Sequence, residues 1–74
     1  MGIVLLAVCD LPALRVRRGD VIRFDPAISA LPRLKRGPLE VDLVNTGAIL
    51  GAFTDGALRP LTPVPAEVLR ALVG

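Results

Sequence analysis

The 74-residue chain has no histidine, no tryptophan and no tyrosine, and its one cysteine is Cys9. Each absence removes a class of function. Without histidine the commonest general base and the commonest nitrogen ligand for metals are missing. One thiol can neither close an intramolecular disulfide nor build a tetrahedral zinc site. With two phenylalanines as the whole aromatic complement, the chain lacks the tyrosine and tryptophan anchors of transient interfaces and the rings that stack nucleic-acid bases. The apolar run at residues 3–8 is far below the roughly 20 residues of a bilayer span, and no basic segment precedes it as in a secretory signal. No glycine-rich phosphate loop, serine-centred elbow or metal-ligand spacing is present. The expectation is a protein that is not an enzyme and takes no cofactor, metal or small-molecule substrate.

What is present is aliphatic. Hydrophobic residues make up 53% of the chain and charged residues 22%, against a usual charged share of about 25%. A chain this short buries only about 60% of its unfolded surface, so its aliphatic side chains outnumber the interior places for them. With disulfides and metals excluded, association is the staple that remains. The net charge of +2 comes from dispersed arginines, without a repeated interleaving of aromatic residues among them. That pattern does not by itself assign nucleic acid.

Seven prolines and seven glycines cut the chain into short pieces, which favours brief strands and turns. Residues 2–9 read as a strand covered on both faces. Residues 13–25 read as a hairpin: Leu14 and Val16 alternate with Arg15 and Arg17, Arg18-Gly19-Asp20 turns, and 21–24 returns. Residues 26–38, with prolines at 26, 32 and 38, read as a loop with a helical turn near 27–31. Residues 39–43 alternate cleanly, Asn45-Thr46-Gly47 reads as a turn, and 48–53 as an apolar strand with a bulge at Gly51. Asp55-Gly56 is a hairpin signal, followed by an edge strand at 57–61 limited by Pro60. After the connector 62–65, a helix is predicted from Pro65 to about Val73, with Gly74 beyond it.

The segment Leu14-Arg-Val-Arg-Arg-Gly-Asp-Val-Ile-Arg-Phe24 resembles the diverging-turn region of SH3-like domains. Its texture, with Gly56-Ala57-Leu58-Arg59-Pro60-Leu61, is similar to that of short virion proteins from the head-to-tail gene clusters of tailed bacteriophages. The resemblance implies a mainly β fold, a small SH3-like barrel of five to six short antiparallel strands with a short C-terminal helix. It places the barrel at 1–62 and the proline-rich connector and helix at 63–74. It also implies a structural or assembly subunit, such as a capsid decoration or head-tail protein, in the cytoplasm or the virion. The aromatic groove of peptide-binding SH3 domains is missing, so that activity does not carry over.

The expected partner is protein, through self-association or a larger assembly, with no membrane. The candidate interface is Ile49, Leu50 and Phe53 with the helix stripe Val68, Leu69, Leu72 and Val73. The alternative is a regulatory barrel that binds nucleic acid or an acidic partner through Arg15, Arg17, Arg23 and the basic patch Arg33, Lys35 and Arg36. Glu40 and Asp42 share one strand face and are expected to pair with Arg15, Arg17 or Arg23 across the sheet. Arg18-Gly19-Asp20 spells an integrin-binding tripeptide but reads as turn chemistry. Cys9 reads as a buried, inert thiol at a strand end.

Overall fold

A computed structural model describes residues 2–73. The β-branched run at the N-terminus forms β1 (Ile3–Ala7), with Ile3, Leu5 and Ala7 buried on one face and Val4 and Leu6 half-buried on the other. β2 (Val21–Phe24) and β5 (Leu58–Pro60) flank it, both antiparallel. β3 (Arg33–Arg36) continues from β2, and β4 (Leu39–Asp42) continues from β3. The result is a five-stranded antiparallel sheet in the order β4-β3-β2-β1-β5. Its two end strands do not pair with each other, so the sheet is open where a closed barrel was expected. With helices α1 (Thr46–Thr54) and α2 (Ala66–Val73), the fold is α+β.

Helix α1 occupies the segment that was expected to be a strand. Ala-Ile-Leu-Gly-Ala-Phe is apolar without polar periodicity, and a short apolar run of this kind suits either element. The ends decide. Asn45 is the N-cap, its side-chain oxygen accepting the Ala48 N–H at 3.1 Å, an arrangement worth about 1 kcal/mol. At the other end Gly56 takes φ +84°. Its N–H donates to the Phe53 carbonyl at 3.2 Å, and the Ala57 N–H donates to the Ala52 carbonyl at 2.9 Å. This doubly bonded left-handed cap closes a helix, so Asp55-Gly56 is a helix stop and not a hairpin turn.

The predicted hairpin at 13–25 is half right. Its second limb is β2, but the first is a 3-10 turn over Pro12–Leu14 followed by a lone bridge between Leu11 and Val16. Pro12 supplies the start of that turn, and Arg15 leaves it in the left-handed region at φ 56°. Within the predicted loop 26–38 the structure has β3, whose Leu34 faces the core while Arg33 and Lys35 face solvent. β4, β5 and α2 fall close to their expected places, and Gly74 lies outside the described residues.

One core gathers Ile3, Leu5, Ile22, Phe24, Leu34, Ile49, Leu58, Val68 and Leu72. α1 packs on α2 and on β5, so the C-terminal helix joins the same core as the strands. α1 lies against β5 and carries α2 on it. At the other end of the sheet all four residues of β4 are exposed.

Candidate protein-docking edge

The sites expected from sequence are redistributed. Of the aliphatic interface, Ile49, Val68 and Leu72 are buried in the chain's own core and present nothing to a partner. Leu50, Phe53 and Leu69 are half-buried, and Val73 is exposed. An amphipathic helix of eight residues is too short to persist alone, and here it buries its stripe against α1.

The basic patch is tied into ion pairs. Arg33 Nε donates to Asp42 Oδ1 at 3.1 Å and its guanidinium lies 4.0 Å from Glu40, while Lys35 Nζ is 3.9 Å from Glu40. The carboxylates thus pair with the neighbouring strand and not with Arg15, Arg17 or Arg23. The hairpin turn Gly37-Pro38 dictates this register by setting Arg33 opposite Asp42 and Lys35 opposite Glu40. These pairs are exposed, and each is worth under about 1 kcal/mol.

Arg36 has a different environment. Its Nε and Nη2 grip both carboxylate oxygens of Asp20 at 2.9 and 2.6 Å, and Nη2 also reaches the Arg15 carbonyl at 3.4 Å. Asp20 is 5% exposed and also accepts the Arg17 N–H at 2.8 Å. The Arg36 guanidinium is the main reason the Asp20 carboxyl is held below its ordinary value; burial opposes the shift and the Arg17 N–H adds to it. Arg18-Gly19-Asp20 therefore presents no accessible aspartate. The aspartate is the internal partner that ties the 15–20 loop to β3. Cys9, expected to be buried, is exposed just past β1.

Sequence reasoning missed the uncovered end of the sheet. Register puts Val41 beside Leu34 and Leu39 beside Arg36 on the core-facing side. Leu39 and Val41 nevertheless remain 43% and 42% exposed, and Val44 just beyond them is 78% exposed. With Leu14, Leu34 and Leu43 they line a cleft of about 470 Å³, with Arg15 and Arg36 among its walls. The other side of the same strand carries Glu40 and Asp42. The signal was present in the clean alternation of residues 39–43, but alternation alone does not say that the apolar side lacks a cover.

The backbone at this edge is also open. The Leu43 N–H donates to the Pro32 carbonyl at 2.8 Å. In an antiparallel ladder bonded positions alternate, so Leu39, Val41 and Leu43 turn their peptide groups toward β3, and Glu40 and Asp42 turn theirs outward. Among the described residues no group of three or more His, Cys, Asp or Glu side chains could hold a metal, and no helix is long and apolar enough to cross a membrane. Compared with protein-family models, curated proteins and solved structures, the chain has no match.

Proposed function

We propose that the chain is a non-catalytic assembly subunit that docks a partner protein on the uncovered β3–β4 end of its sheet. The observation that carries this reading is the row Leu39, Val41 and Val44, three aliphatic residues within six positions that stay exposed beside a fully packed core. Contiguous apolar surface rimmed by charge marks contact sites for other macromolecules. We read the sheet as an SH3-like meander opened between β4 and β5. The setting in a tailed-bacteriophage virion, implied by the resemblance of the 14–24 and 56–61 stretches, belongs to the same proposal. The alternative, a regulatory barrel that binds nucleic acid or an acidic partner, rests on the exposed Arg15, Arg17 and Arg23, because Arg33, Lys35 and Arg36 are paired with carboxylates of the same chain.

Co-expression with the products of its adjacent genes tests the reading. The chain should co-purify with one of them at fixed stoichiometry, and Leu39→Ser with Val44→Ser should release it while the isolated chain still melts cooperatively, within about 10 °C of wild type. A complex indifferent to both substitutions, or a chain that binds none of those products, overturns it.

A further inference from the structure

The two faces of β4 carry different chemistry, and between them lies an unpaired backbone edge. Glu40 and Asp42 point their peptide N–H and carbonyl groups away from β3, offering two donors and two acceptors to an incoming strand. On the core-facing side the strand shows Leu39 and Val41, continued by Val44 and the cleft wall of Leu14 and Leu43. On the opposite side it shows two carboxylates whose side chains are 52% and 51% exposed despite their contacts with Arg33 and Lys35. Those cations approach from β3 only, so the sides of the carboxylates that face the open edge have no partner strand.

These features select one occupant. A second copy of this chain, aligned antiparallel so that Val41 meets its own counterpart, would set Glu40 directly opposite the other copy's Asp42, and like charges in directly opposed positions are destabilising. A strand with cations at those two positions would extend the existing charge rows: base from β3, acid from β4, base from the partner. Its residue opposite Val41 would point into the apolar cleft, as would those opposite Leu39 and Leu43.

Resting on the docking reading above, we propose that β4 takes up, as a sixth strand, an extended segment of another protein in which aliphatic residues alternate with Lys or Arg. Main-chain hydrogen bonds supply binding in this mode, and the alternating side chains supply specificity.

The probe is an end-blocked peptide of sequence Leu-Lys-Val-Lys-Leu, titrated into the isotopically labelled full chain and followed by NMR. Three control peptides accompany it: the same composition with both lysines at one end, the glutamate counterpart Leu-Glu-Val-Glu-Leu, and a version N-methylated at the bonding amides. Shifts should centre on residues 39–44. The alternating lysine peptide should bind at least tenfold tighter than each control, and more weakly as NaCl rises from 50 to 500 mM, because exposed charges are screened. E40Q with D42N, which keeps shape and removes charge, should erase the preference for lysine over glutamate. E40K with D42K should reverse it.

Equal binding of the scrambled or N-methylated peptide overturns the proposal, as does a preference untouched by E40Q with D42N. Dimerisation of the chain alone through β4, seen by sedimentation and abolished by Val41→Asp, also overturns it in favour of a second copy. If the co-expressed complex depends on Leu39 and Val44 but ignores both charge variants, the docking reading stands and this proposal falls.

Discussion

The two edges of the sheet differ in every respect that matters for pairing. β5 is three residues long, and Leu58 is 1% exposed beneath α1. Pro60 also lacks the N–H that a further strand would need. β4 is exposed along its whole length, carries no proline within it, and turns the peptide groups of Glu40 and Asp42 outward. Natural sheets protect their edges with helices, proline and charge. β5 uses the first two, whereas β4 has only charge, at Glu40 and Asp42. The chain thus has one edge covered by α1 and interrupted by proline, and one edge exposed along its length, with Leu39, Val41 and Val44 among its exposed aliphatic residues.

That contrast is broken most directly by truncating one residue at each end. Ile49→Ala, at a site with 0% exposure between α1 and the sheet, should cost about 2–5 kcal/mol by creating a cavity in the helix-covered half. Val41→Ala at the open edge should cost under about 1 kcal/mol. Chemical denaturation of both variants checks this, and equal losses would mean that the β4 end is as well packed as the helical end.

Acid sharpens the comparison at the seam between the halves, where Arg36 of β3 holds Asp20. The folded-state pKa of Asp20 is depressed below 3.8, so its contribution to stability is present above that value and lost as pH falls through the folded pKa. Thermal melts should show wild type weakening below about pH 4, the range where an ordinary carboxyl takes up its proton. Asp20→Asn should be less stable at neutral pH and lose less on acidification. A variant with the wild-type pH profile would remove the pair from the account.

The sequence announced β1, β4, β5 and α2, and in each case the element has one strong local signature: a β-branched run, a clean alternation, a proline at an edge, a proline-started amphipathic turn. It concealed α1 and β3 for opposite reasons. The 48–53 segment is apolar on every side, so its period is unreadable, and the deciding contacts are caps at Asn45 and Gly56 that also read as turn residues. β3 has one core residue, Leu34, between charges and close to three prolines, so its pairing with β2 and β4 outweighs a loop-like composition. The composition argument put the expected interface on Ile49, Leu50, Phe53, Val68, Leu69, Leu72 and Val73, of which Ile49, Val68 and Leu72 are buried in the core and Val73 is exposed. A helix stripe is the first surface a small chain covers with its own residues; an edge strand is the last.

The smallest effect expected is also the most discriminating. Val44 is 78% exposed, two residues past β4 and just before the Asn45 cap. Replacing an exposed aliphatic residue usually changes stability by less than about 0.5 kcal/mol, and the Asn45 cap itself is untouched, so Val44→Ser should leave the denaturation midpoint of the isolated chain close to where it was. If Val44 is one wall of a docking cleft, the same substitution should weaken partner capture, because its apolar surface is buried only in the complex. A measurable loss of stability in the isolated chain would show that Val44 already packs against its own fold, and the cleft would then belong to the monomer and not to a partner.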